Sequence, residues 1–345
     1  MSDPAPFAVA TAFGYLLERL VAFHRRFAAA TSTASVTISA QNFPVTELGQ
    51  HHELVEAGTE CEMDLLTIAE RAVRWGLNLR GVRSRWLATS LGRVHVYDGA
   101  GRGSLPTIVV LHGIGSAATA YAPVVRRLQQ HARRVIAPEN LGHGFSDKPK
   151  HLDVETMFAA TREALDELLE EPAVLFGNSL GGAVAIRYAL ERPERVRGLI
   201  LSSPAGAVMT DDELRDLLAS FPSAPTRAEG ERFMARLYHQ VPRGAGLFAQ
   251  DVARIFDRPA VKGFFASITT GSGFSPEELS GLQAPILLLW GRSDRLMPRS
   301  GLDYFRAHLP PGTVVVEPED FGHCPYLEQP ARLAQYIVSG SMSVL

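Results

Sequence analysis

Short, almost wholly apolar runs recur along the chain at residues 108–111, 135–137, 174–176, 199–201, 286–290 and 314–316. Each is too short for a helix, and none alternates polar with apolar, a pattern that suits strands buried on both faces of a parallel sheet. Helical patterns lie between most of them, as at residues 159–169 and 182–190. Strands alternating with helices predict an α/β fold with a doubly wound, mostly parallel sheet. A hairpin at its start pairs residues 86–90 with 93–98 around Leu91-Gly92.

One gap breaks the alternation. Between Ser203 and Leu282 about 80 residues carry helical periodicity without a buried-strand run. A structureless loop of that length is unusual, so residues 204–281 read as a helical cap inserted over one end of the sheet. The core is then residues 86–203 with 282–345. Residues 1–85 form an extra, largely helical N-terminal segment, with Phe13, Leu16, Leu17, Leu20, Phe23 and Phe27 at helical spacing and a second pattern at 63–75. Packing on the core is the expected role of the first helix; pairing of subunits in a homo-oligomer and contact with a lipid surface stay open.

Composition narrows the class further. Hydrophobic residues make up 46% and charged residues 21% of 345, with a net charge of −3. The basic residues are spread and matched by acids, which leaves no electrostatic footprint for nucleic acid. Two cysteines, Cys61 and Cys324, exclude a disulfide framework and suit a reducing compartment. The start lacks a basic signal-peptide region, and no apolar run approaches the roughly 20 residues of a membrane span. A cytoplasmic protein without a transmembrane segment is expected.

The chemistry is concentrated at Gly177-Asn178-Ser179-Leu180-Gly181, followed by Gly182, directly after one apolar run and before a helical pattern. A G-x-S-x-G turn from strand to helix exposes its serine above the sheet, and glycines on either side let the chains pass closely. A serine needs a base and a group to orient that base. Asp294, in Gly291-Arg292-Ser293-Asp294, and His323, in Phe321-Gly322-His323-Cys324-Pro325, follow it in chain order. Both sit after predicted strands, on the edge where such sheets carry their sites. Glu319 and Asp320 are alternative acids. The oxyanion donors are the backbone N–H of Leu180 and, from the His112-Gly113-Ile114-Gly115 loop, that of Ile114. His112 reads as a loop organiser; the glycines of residues 139–147 suit a tight loop beside the pocket, and His143 receives no chemical role. Cys324 reads as a packing residue. No Cys/His spacing suggests zinc, and no G-x-G-x-x-G follows the first strand.

These motifs, in this order over residues 86–345, resemble the α/β-hydrolase superfamily. The serine at position 179 is unlike the members that use aspartate there, the haloalkane dehalogenases and epoxide hydrolases. The stretch Ser203-Pro204-Ala205-Gly206 and the plain triad resemble bacterial carboxylesterases and monoacylglycerol-type lipases, which implies transfer of the acyl group to Ser179 and then to water, with no metal or organic cofactor. Gly-Asn-Ser-Leu-Gly-Gly is also similar to carbon–carbon bond hydrolases of ring-fission products. Those commonly place tryptophan where this chain has Cys324 and use a cap arginine, for which Arg254 and Arg258 are candidates. The expectation is therefore a serine esterase acting on a small acyl ester with an apolar portion. Carbon–carbon hydrolysis, acyl transfer to an alcohol and a non-catalytic ligand-binding role are the alternatives.

Overall fold

The computed structural model of the chain describes residues 64–343. The helical pattern at 13–27 and Cys61 lie outside them. The first described helix, α1 (Leu65–Asn78), opens at Asp64, whose carboxylate accepts the Thr67 N–H at 2.6 Å. It is followed by β1 (Val82–Thr89) and β2 (Gly92–Ala100), then β3 (Ile108–Leu111), α2 (Ala122–Leu128), β4 (Arg134–Pro138) and α3 (Val154–Leu168). Next come β5 (Ala173–Asn178), α4 (Leu180–Glu191) and β6 (Val196–Ser202). Five α-helices and no strand separate β6 from β7: α5 (Asp211–Leu218), α6 (Arg227–Leu237), α7 (Ala249–Asp257), α8 (Pro259–Ala266) and α9 (Pro276–Ser280). The chain closes with β7 (Ile286–Leu289), α10 (Arg299–His308), β8 (Val314–Val316), α11 (Pro325–Glu328) and α12 (Pro330–Met342).

The eight strands form one sheet in the order β1-β2-β4-β3-β5-β6-β7-β8. β1 with β2 and β2 with β4 are antiparallel, and every later pair is parallel. All residues of β3 and β5 are buried. Alternate side chains enter opposite cores: Val109, Leu111 and Leu175 pack on one face, Ile108, Val110, Val174 and Phe176 on the other. From β3 the chain winds outward to β4, then returns past β3 to β5 and continues the other way. That reversal opens a crevice beyond the carboxyl ends of β3 and β5, the usual ligand position in such sheets.

The hairpin is longer than the sequence pattern suggests, because β1 begins at Val82 and its polar residues Arg83, Ser84 and Arg85 hide the strand. β8 departs from the expectation of burial on both faces. It is the sheet's edge, and Val314 is 56% exposed. Among the described residues no helix is long and apolar enough to cross a membrane.

Candidate active site

Ser179 sits between β5 and α4 with φ 54° and ψ −122°, a backbone conformation that non-glycine residues rarely adopt. Its neighbours explain how the turn closes. A Cβ at Gly177 would lie 2.2 Å from the Gly181 carbonyl oxygen, and one at Gly181 would lie 2.1 Å from that of Leu111. Side-chain-free positions four residues apart thus let β5, α4 and the loop after β3 touch through their backbones.

Two loops converge on this turn. Asp294 follows β7 and His323 follows β8, and the His323 Nδ1 lies 2.8 Å from Asp294 Oδ2 with both side chains almost wholly buried. Against a carboxylate the Nδ1 carries the proton, which leaves Nε2 as a base. Asp294 is held on its other side by the Leu296 and Met297 N–H groups, at 2.9 and 3.0 Å. Burial pushes its carboxyl up, but the charge and hydrogen bond of His323, with Met297 and the Ser203 hydroxyl, outweigh that and hold it below the usual range. Glu319 and Asp320, the alternative acids, pair instead with Arg292 and Arg332.

The Ser179 hydroxyl makes no side-chain capping bond at the head of α4. The link between its turn and the His323 loop runs through the preceding residue: Asn178 Nδ2 donates to the His323 carbonyl at 3.0 Å and to the Ser202 carbonyl at 3.1 Å, and its Oδ1 accepts from Tyr121.

The loop after β3 is held by two neutral histidines. His112 Nδ1 donates to the Gly113 carbonyl while its Nε2 accepts the Asn140 N–H. His143 Nδ1 donates to the Leu141 carbonyl and its Nε2 accepts the Gly115 N–H at 3.1 Å. Desolvation lowers His112 to about 3, with His143 adding to it, and lowers His143 to about 4. Each ring needs one bare nitrogen as acceptor, so neutrality is what the loop requires. The buried Glu139 carboxylate adds an anchor, accepting from Ala118 and Phe145 N–H groups and from His95 Nδ1. The Gly115 and Ala118 amides are thereby committed, and the Ser116 amide bonds the Gly113 carbonyl. Leu180 opens α4, so its N–H has no intrahelical partner. Ile114, Ser179 and Leu180 together line one cavity, closed on its far side by residues of α5 and α8.

Sequence reasoning placed Ser179, Asp294, His323, Ile114 and Leu180 in these loops but missed Asn178 and Ser203. Ser203 has φ 41°, and its hydroxyl helps to hold the Asp294 carboxyl low. Its trace in the sequence is a serine pair at the end of a strand run, a weak signal without the fold. His112 and His143 act through loop geometry, and Cys324 is a buried free thiol that burial pushes up to about 12, unsuited to a nucleophile. Arg254 pairs with Asp251 and Arg258 follows α7; neither lines the cavity.

Comparisons with known proteins agree with this architecture. A family model described as alpha/beta hydrolase fold matches residues 106–330. An uncharacterised protein of Mycobacterium tuberculosis is 31% identical over 288 residues, which cover 75% of this chain and 83% of that one. The 2-hydroxy-6-oxo-2,4-heptadienoate hydrolase of Pseudomonas putida is 32% identical over 212 residues, 55% of this chain and 73% of its own. Among solved structures, a bacterial membrane phospholipase A superposes with a TM-score of 0.69 at 25% identity, covering 81% of this chain and 92% of that one. With its serine turn, its switch-point crevice and its loop order, this chain belongs to the α/β hydrolase fold family.

Proposed function

We propose that this protein is a serine hydrolase of carboxylic esters, with Ser179 as nucleophile, His323 as general base and Asp294 as the group that orients it. The contact of His323 Nδ1 with buried Asp294 at 2.8 Å, behind a serine on a strained turn, carries this reading. His323 Nε2 takes the Ser179 proton as the oxygen attacks the ester carbonyl. The tetrahedral oxyanion is held by the Ile114 amide and by that of Leu180 at the N-terminus of α4, where the helix dipole favours negative charge. His323 then protonates the leaving alcohol, and water, activated by the same imidazole, releases the acid. Hydrogen bonds between serine and base are often long in resting sites and tighten on substrate binding. No metal or organic cofactor enters these steps. On this reading residues 204–281 are the cap, residues 86–203 with 282–345 the catalytic core and residues 1–85 an extension, and the setting is cytoplasmic.

Carbon–carbon hydrolysis is the second reading, favoured by the Pseudomonas putida relative. Its named substrate is a carboxylate, which calls for a cation in the pocket. Among the described residues lining the cavity at Ser179 none carries a charge, which favours a neutral ester. Comparing kcat/KM for p-nitrophenyl butyrate with that for a 2-hydroxy-6-oxo-dienoate tests the choice. The ester is expected to be the better substrate, and faster turnover of the dienoate would contradict the proposal. Adding an alcohol acceptor and analysing products separates hydrolysis from acyl transfer.

A further inference from the structure

The cavity at Ser179 is one-sided. Ile114, Ser179 and Leu180 form its catalytic end, Leu214 and Leu217 of α5 one wall, and Phe221 and Phe265 another. His323 is not among the residues that line it. In acyl transfer by a serine, the leaving oxygen must stand beside the histidine that protonates it, while the carbonyl oxygen turns to the amide donors. The group that extends away from the histidine is therefore the acyl chain.

We infer that this cavity is the acyl pocket and that it admits a short, uncharged acyl group of about four carbons or fewer; the inference rests on the hydrolase reading above. Its volume is about 110 Å³. A cavity of about 150 Å³ lined by Leu, Ile and Phe is filled by the six carbons of benzene, so this one has room for about a butyryl group. The closing wall is an interlocked aromatic group. The Phe221 and Phe265 rings lie 4.7 Å apart, Phe221 and Phe256 5.4 Å, and Phe256 and Phe265 6.0 Å. Phe256 in turn lies against Gly115, where an added Cβ would come within 2.5 Å of its ring. The wall that limits chain length is thus packed on the loop that bears Ile114, so lengthening the pocket means removing a ring and not merely turning one. The α5 wall differs: none of its residues is buried, and its inward Leu214 and Leu217 meet the cavity.

The test is a p-nitrophenyl ester series from acetate to dodecanoate on the full chain, with Phe265→Ala and Leu214→Ala alongside. In the parent, kcat/KM is expected to peak at acetate to butyrate and to fall about tenfold or more by octanoate, given what each unaccommodated methylene costs. In Phe265→Ala the maximum should move to hexanoate or octanoate. Leu214→Ala, on a helix with no buried residue, keeps the test open if the first variant fails to fold, and should widen the profile in the same direction. A parent profile that rises toward octanoate, or both folded variants keeping the parent profile, would overturn the pocket assignment while leaving a labelled Ser179 intact. A folded protein that neither turns over any ester nor reacts with a fluorophosphonate at Ser179 would overturn the hydrolase reading, and this inference with it.

Discussion

Asn178 donates a hydrogen bond from its side-chain amide to the main-chain carbonyl of His323, 3.0 Å away and 145 residues further along the chain. The residue before the serine therefore fixes the backbone that carries the imidazole, and its second donor bond, to Ser202, ties in the end of β6. Asn178→Ala leaves two buried carbonyls without that donor, a cost of about 1–3 kcal/mol. The larger effect is expected in kcat, about ten- to a hundredfold down with KM near the parent value, because the base is displaced and binding is not. Steady-state kinetics on a p-nitrophenyl ester, with thermal unfolding as control, checks the split.

Asp294 accepts from His323 and from two backbone amides, and one substitution separates those roles. In Asp294→Asn the Oδ1 position can still accept from Leu296 and Met297, so the loop is retained. The imidazole loses its anion and the tautomer that leaves Nε2 bare, and kcat should fall by about 10⁴. A change below about tenfold would point to Glu319 or Asp320, despite their arginine partners.

Much of this arrangement is legible in the sequence, and the misses share a cause. Runs such as residues 108–111 and 174–176 announce strands because both faces are covered, and Gly177-Asn178-Ser179-Leu180-Gly181 announces a turn that few sequences could make. β1 is hidden because an edge strand faces water and reads polar, and β8 is apolar in sequence yet lies on the rim. Asn178 does its work through carbonyls 24 and 145 residues away, and Glu139 through His95, 44 residues before it. No local pattern records which carbonyl a side chain will meet. The histidines illustrate the same limit: His112 and His143 become loop supports only once β3 and β4 lie side by side.

The serine turn makes a steric prediction. A methyl at position 181 would be driven into the Leu111 backbone, with no flexible side chain to yield. Gly181→Ala should cost about 3 kcal/mol or more and abolish turnover, since relief requires moving either α4 or the loop bearing Ile114. Urea denaturation of the variant is the check.

A pH dependence follows from α1. Burial raises the Glu70 carboxyl to about 7, and the nearby Glu139 charge adds to it. The folded state therefore binds more protons than the unfolded chain between about pH 4.5 and 7, so this contribution to stability is present below that window and is lost as pH rises through it. The difference is on the order of 3 kcal/mol. In Glu70→Gln the urea midpoint should vary less between pH 5 and 7.5 than in the parent; an unchanged slope would contradict the assignment.

If Ser179 is the activated nucleophile, a fluorophosphonate modifies it, and mass spectrometry of the exposed protein reads that out. One adduct per chain is expected, on the peptide containing Ser179, absent in Ser179→Ala and strongly slowed in His323→Ala. A folded parent protein that stays unmodified, or an adduct that persists in Ser179→Ala, would contradict it.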